Sequence, residues 1–261
     1  DGSIAIGASA LTNITEGERN TAIGFNAGLG LVDSDDCTFV GYQAGEDVDS
    51  SGSAPMGCTY VGSYSGKYLD DGTHNTALGF NAMVGTTGGA TCNLNVGVGK
   101  DALESIQTGD QNVVIGADAG AGTVDVDNVV IIGYGAGRSV MTNGADGSVA
   151  VGKDALAALT SGAGNVAIGY QSGDALTDSG YNTVVGYQSL STEIQGSHTT
   201  AIGYQSGFAQ NKGSSAAMHN TLIGLEAGYH NVTGTYNTYV GSKAGTGVST
   251  NSNSNNVGIG S

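Results

Sequence analysis

Asn20-Thr21-Ala22-Ile23-Gly24-Phe25-Asn26-Ala27-Gly28, NTAIGFNAG, decides the reading of this chain. The same nonapeptide returns as NTALGFNAM from Asn75, NVAIGYQSG from Asn165, TTAIGYQSG from Thr199 and NTYVGSKAG from Asn237. Anchored on the glycine after the apolar pair, copies fall at Gly7, Gly24, Gly41, Gly62, Gly79, Gly99, Gly116, Gly133, Gly152, Gly169, Gly186, Gly203, Gly224, Gly241 and Gly260. Nine of the fourteen steps between these fifteen anchors are 17 residues, and the others are 19 to 21. A fixed period of this size marks a repeat architecture in which each copy is one stacked coil. The extra residues fall between nonapeptides, which predicts insertions on a constant coil over 46–57, 84–94, 138–147, 208–219 and 246–255.

Each column has a physical reason. The residue before the anchor is always aliphatic, and the residue three before it is Thr or Val, with Ile4 the one isoleucine. Residues two apart share a face of a strand, and β-branched side chains suit that surface, so each copy predicts a short β-strand. An invariant Gly anchor implies a backbone angle or a close approach that a Cβ would forbid. Three beyond the anchor only Ala or Ser occurs, which implies tight packing; four beyond it stands Gly, predicting a turn, or else Leu or Met. A helix with glycine at two fixed places per repeat would lose about 1 kcal/mol at each. Stacked coils with parallel strands about 4.8 Å apart account for every column, and a 17-residue coil has room for two strands of about five residues with one or two inward apolar side chains each. The expectation is an all-β parallel β-solenoid, or β-roll, of about fifteen coils over 1–261 as a single repeat domain. Its length would be roughly 70 Å, and small-angle scattering from a compact sphere would exclude it.

Composition narrows the function. The chain has 47 Gly, 1 Pro, no Trp and 11% charged residues, with a net charge of −16. So acidic a surface is repelled by phosphate, which argues against nucleic acid or an anionic membrane as partner. No run of about 18 apolar residues is present, so no membrane insertion by this segment is expected. The start at Asp1, with no signal-peptide pattern, reads as a mature form or an excised piece. A core this thin predicts association with further copies.

Asn fills the position four before the anchor at Asn20, Asn75, Asn95, Asn112, Asn165, Asn182, Asn220, Asn237 and Asn256. Its short amide bonds turn backbone and stacks on an identical residue, so these predict an Asn ladder at the strand entrance. Aromatics just after the anchor include Tyr170, Tyr187 and Tyr204 on three consecutive coils, predicting a ring ladder or, read as a binding surface, a carbohydrate stripe. Cys37 and Cys58 replace the ladder Asn on neighbouring coils and predict two close thiols or a bond formed only under oxidising conditions; Cys92, in an insertion, should pair with neither.

The stretch from Ser3 to Ala10, SIAIGASA, resembles the head repeat of trimeric autotransporter adhesins, the YadA-like β-roll, and NTAIGFNAG and NVAIGYQSG resemble repeats of phage tail fibres and bacterial surface fibres. The resemblance covers essentially the whole chain. It implies a left-handed roll, a homotrimeric rod and a role in attachment or display, at a cell surface or on a virion, with a glycan or protein receptor. The adhesin repeat is usually shorter than 17 residues, and neither a coiled-coil stalk, nor an anchor barrel, nor a self-cleaving chaperone domain accompanies this one.

Other residue groups could carry chemistry. Asp33, Asp35, Asp36, Glu46, Asp47 and Asp49 flank Gly41 and form an oxygen-rich candidate site for Ca²⁺, although the EF-hand spacing and the Gly-Asp nonapeptide of Ca²⁺-binding rolls are absent. His74, His198 and His219 share one column, five before an anchor, and stacking would let them hold a metal; a polar turn is the plainer reading, since Arg19, Gln111 and Asn128 occupy it elsewhere. No nucleophile elbow, Cys–His pairing or recurring carboxylate pair points to an enzyme. Asn13 and Asn231 lie in glycosylation sequons. Thr at the third position before the anchor suggests an alternative function, ice or crystal-surface binding, which the run of Val from Val96 to Val166 interrupts.

Overall fold

The structure, a computed structural model, describes residues 2–48, 56–211, 213–247 and 253–260. The chain forms two compact units, Asp1–Val129 and Val130–Ser261. The first contains β1 (Ile4–Ile6), β2 (Thr21–Ile23), β3 (Thr38–Val40), β4 (Thr59–Val61), β5 (Thr76–Leu78), β6 (Val96–Val98) and β7 (Val113–Ile115). The second contains β8 (Val130–Ile132), a 3-10 turn over Asn143–Ala145, β9 (Val149–Val151), β10 (Val166–Ile168), β11 (Thr183–Val185), β12 (Gly196–Ser197), β13 (Thr200–Ile202), β14 (Ala216–Ala217), β15 (Thr221–Ile223), β16 (Thr238–Val240) and β17 (Val257–Ile259). Apart from the two-residue β12 and β14, every strand ends on the residue before one of the fifteen anchors.

Within each unit these strands pair in parallel in chain order, one 17-to-21-residue coil to the next, and equivalent columns face each other: Thr21 opposes Thr38, and Ile23 opposes Val40. Each unit is a parallel β-solenoid. The expectation of two five-residue strands per coil is corrected. One three-residue strand forms, and only β12 with β14 adds a second paired segment among the described residues. Left-handed residues recur two beyond the anchor (Asn26 at φ 55°, Gln188 at 48°) and five before it (His74 at 56°, His198 at 60°), bending the backbone out of the extended region. Coil-to-coil hydrogen bonds nevertheless continue through these bends, as from Asn26 N to Ala8 O at 3.0 Å and Gly28 N to Ala44 O at 2.9 Å.

In the three-residue strands from β2 to β16 the middle residue points inward: Ala22, Phe39, Tyr60, Ala77 and Val114 are buried in the first unit, Ile131, Val184 and Leu222 in the second. The invariant columns on either side of it therefore face outward. Ala27, Ala44 and Ser65, three beyond their anchors, close the core wall, and Leu31, Leu69, Ile106, Leu159 and Leu176 fill it from seven beyond.

The choice between Gly and Leu or Met four beyond the anchor follows volume. All adopt a left-handed backbone, Gly66 at φ 59° and Met83 at 51° alike, so the position lies inside the turn and does not simply end an element. Where the inward strand residue is large, the position is Gly: a Cβ on Gly66 would collide with the Tyr60 ring, and one on Gly45 with Phe39. Beside some small strand residues a buried Leu or Met reaches in, as Met83 does beside Ala77 and against Gly97. Beside Ala22, Ala167 and Ala201 the position is still Gly, because Phe39, Leu176 and Leu222 respectively already fill the space a Cβ would enter. Gly66→Leu alone should therefore be severely destabilising, whereas Tyr60→Ala with Gly66→Leu should recover much of the loss. A double-mutant cycle by urea unfolding should give a favourable coupling of about 2 kcal/mol; strict additivity would refute the pairing.

Candidate functional site

The Asn column is buried and straps successive coils together. Asn112 Oδ1 accepts Val129 N–H at 3.0 Å while its Nδ2 donates to Val126 O at 2.7 Å; Asn182 Oδ1 accepts Thr199 N–H at 2.9 Å and its Nδ2 donates to Gly196 O at 3.1 Å. Asn20, Asn75, Asn95, Asn165, Asn220 and Asn237 repeat the pattern. Amide-to-amide bonds also occur, from Asn95 to Asn75, Asn182 to Asn165 and Asn256 to Asn237. Most of each amide's hydrogen bonding thus goes to backbone, which explains why Asn is preferred over Asp here: the site needs one acceptor and one donor.

A second column, six before the anchor, runs with the opposite sense. Asp35 accepts Glu18 N–H at 2.7 Å, Asp110 accepts Asn93 N–H and Asp127 accepts Asp110 N–H at 2.7 Å. This accounts for part of the acidic group near Gly41. Asp36 is held by Arg19, whose guanidinium keeps its carboxyl below the usual range, and Asp33 accepts the Thr15 hydroxyl at 2.7 Å. Glu46 meets Asn26, Gln43 and Lys67. Asp47 lines a surface recess with Asn13, Leu29 and Tyr68, and Asp49 lies outside the described residues. Asp33, Asp35, Asp36 and Glu46 are thus engaged by protein groups, with Arg19 reaching both Asp35 and Asp36, and among the described residues no group of three or more His, Cys, Asp or Glu is placed to hold a metal ion.

Tyr170, Tyr187 and Tyr204 stack with centroids 5.1 and 5.4 Å apart and planes within 11°. Gln171, Gln188 and Gln205 form an amide ladder beside them. Lys153 extends the column as a cationic rung, 5.3 Å from the Tyr170 centroid and 5.8 Å from that of Tyr134. The rings cover one another's faces and leave edges and hydroxyls at the surface. The histidine column is aromatic rather than ligand-like: Tyr181, His198, His219 and Tyr236 stack in sequence at 5.3, 5.2 and 4.8 Å.

Register places Cys37 opposite Cys58, next to the paired Thr38 and Thr59. Both are buried in the thiol form and hydrogen-bonded to each other, which with burial pushes the Cys37 thiol up. Cys58 also donates to Gly72 O at 3.2 Å. Cys92 is a free thiol as well, but it is buried in the core wall instead of standing in an open loop, and burial pushes it up to about 12. The predicted insertions over 138–147 and 208–219 carry the 3-10 turn and β14; those over 46–57 and 246–255 fall partly outside the described residues.

The column seven beyond the anchor, apolar in most coils, turns polar at Glu193, Gln210 and Asn231, all buried. Glu193 Oε1 accepts the N–H groups of Ile194, Gln195 and Gly196 at 3.1, 3.1 and 2.8 Å, and Gln210 bridges Thr199 and Asn220. Reading the repeat from its nonapeptide missed this network; the break in the apolar column is the signal that would have found it.

The outward strand columns leave large non-polar side chains exposed in each unit. Leu78 is 48% exposed, Ile115 39% and Ile168 41%, flanked by Phe25, Tyr42 and Phe80 in the first unit and Tyr134 and Tyr187 in the second. Among the described residues no helix is long and apolar enough to cross a membrane. Comparison with protein-family profiles, curated sequences and solved structures finds no match to this chain.

Proposed function

We propose that this chain is a segment of an extracellular structural and adhesive fibre, at a cell surface or on a virion, in which left-handed rolls assemble as a homotrimer and present loops for attachment to a glycan or protein receptor. The observation that carries the reading is the outward pair of columns, Thr or Val and then Ile, Val or Leu, repeated in register on strand after strand. A monomer would leave that surface in water; a further copy would bury it, and burial at about 25 cal/mol per Å² would supplement a core with one inward residue per strand. The acidic surface favours solubility and disfavours nucleic acid. The role needs no catalysis and no cofactor.

Native mass spectrometry should find three times the 25.7 kDa chain mass. Ile115→Asp with Ile168→Asp should shift the distribution to monomer, since each places a charge on the apolar face. A monomeric wild type would overturn the trimer.

A second reading has a specific observation in its favour. Thr21, Thr38, Thr59 and Thr76 stand on successive outward positions of β2 to β5, as do Thr183, Thr200, Thr221 and Thr238 in the second unit. Such rows suit an ordered lattice, and thermal hysteresis from a monomeric sample would replace the fibre reading with ice binding. A glycan stacked on Tyr170, Tyr187 and Tyr204 is less well supported, because the ring faces are occupied by one another.

A further inference from the structure

Gln43 and Lys67 lie on successive coils of the first unit, and their side chains meet over Glu46. Lys67 Nζ stands 3.1 Å from Glu46 Oε2 and 3.4 Å from Gln43 Oε1. Glu46 Oε1 accepts Gln43 Nε2 at 2.5 Å and Asn26 Nδ2 at 2.7 Å. One carboxylate therefore touches both an amine and the amide nitrogen that the amine would displace. The group is sheltered: the Lys67 and Glu46 side chains are 17% and 16% exposed, and Lys67 Nζ lies 5.2 and 5.0 Å from the Tyr64 and Tyr68 centroids. Proton transfer from ammonium to carboxylate converts the ion pair into a neutral pair. Shelter from water favours that conversion, but the hydrogen bonds from Asn26, Lys67 and Gln43 outweigh it and hold the Glu46 carboxyl below its usual range, as Tyr68 and Glu46 hold Lys67 above its own. The ion pair is therefore the resting state, and the neutral pair a minor one through which the reaction passes.

We propose that Lys67 and Gln43 join through an intramolecular isopeptide bond, with Glu46 carrying the protons. Glu46 Oε2 takes a proton from the Lys67 ammonium, and the freed amine attacks Gln43 Cδ. The Nζ–Cδ bond forms as negative charge gathers on Oε1. Glu46 delivers its proton to Nε2 and takes a second from Nζ. The carbonyl re-forms, the Cδ–Nε2 bond breaks and ammonia departs, accepting the last proton from Glu46 as it reaches water. The balance closes on the chain's own groups: amine and carboxamide give a secondary amide and ammonia, with no oxidant, metal or cofactor. Holding amine, acid–base group and carbonyl in contact supplies the proximity that such a reaction lacks in solution.

The other ladders mark the combination as particular to this coil pair. Gln171, Gln188 and Gln205 bond only to one another in their column, and Lys243 sits 3.7 Å from Glu226 with no glutamine in that pair. The product would be a covalent tie between adjacent coils, and the inference holds whether or not the chain trimerises.

Intact-mass measurement of the folded full chain, after storage at neutral pH, is expected to give the sequence mass less one ammonia. Protease digestion should then yield a branched peptide joining Gln43 to Lys67. This peptide is decisive, because an imide at Asn143-Gly144 would lose the same mass without a branch. Lys67→Arg, which keeps the positive charge, and Glu46→Gln should both retain the full mass at Gln43, with circular dichroism verifying that they fold. Full mass in the folded wild type, a branch from Lys67 to Asn26, or an undiminished branch in a folded Glu46→Gln protein would each overturn the proposal.

Discussion

Gly169→Ala is expected to cost about 4 kcal/mol or more and to melt the coils around β10, placing it among the most damaging single methyl additions. Two effects add. Gly169 sits at φ 138°, where an L side chain is strained by about 1–3 kcal/mol. The new Cβ would also run into the backbone carbonyl of Gly186, the next anchor, which has no flexible side chain to move aside. Relief requires the coils to separate, at the expense of the bonds from Gly169 N to Val151 O and from Gly186 N to Ile168 O, each 2.8 Å. Gly147→Ala is the control. Gly147 also has positive φ, at 69°, but a Cβ there meets open space, so the loss should stay near the 1–2 kcal/mol of a left-handed residue. Urea unfolding followed by circular dichroism measures both, and equal losses at the two sites would show that close approach is irrelevant.

Asn182→Ala is expected to cost about 3 kcal/mol, because three buried groups each lose a hydrogen bond, Asn165 Oδ1 keeping only the backbone N–H of residue 182. The Thr199 N–H loses its acceptor, and Gly196 O and Asn165 Oδ1 lose a donor. Hydrogen exchange should localise the damage, with the Thr199 amide deprotected ahead of strands in the first unit. Asn182→Asp should be worse at neutral pH, since a carboxylate oxygen would face two acceptors. Its folded-state pKa would lie above the unfolded value, so that deficit is greatest above the folded pKa and shrinks as pH falls through it. An aspartate variant as stable as wild type at neutral pH would contradict the donor role of Nδ2.

Much of the fold was legible because translation along one axis repeats every constraint. The anchors Gly7 to Gly260 located the fifteen three-residue strands, since a glycine whose neighbour is another glycine's carbonyl cannot vary. The Asn column was legible as a ladder for a similar reason. Its detailed bonding was not, because residues on either side of the insertions meet only once the coils are stacked, as with Asn75 Nδ2 and Cys92 O at 2.7 Å.

The sequence by itself determined the period, the strand positions, the parallel register and the placement of Tyr170, Tyr187 and Tyr204 in one stack; all follow from identical columns falling on one another. Only the tertiary structure decided which face is inside. The inward position reads Ala, Phe, Tyr, Gly, Val, Ile or Leu in different coils, so its size and character vary along the chain, while the uniform aliphatic column beside it faces out. Volume across the core, with Tyr60 filling in its coil the space that Met83 fills in the next, sets that mixture. The same holds for the acidic residues near Gly41. Their spacing suggested one cation site, but coil stacking delivered Arg19, the Glu18 N–H and Lys67 to different carboxylates, and brought Gln43, two beyond its anchor, into contact with Glu46 and Lys67, each five beyond its own.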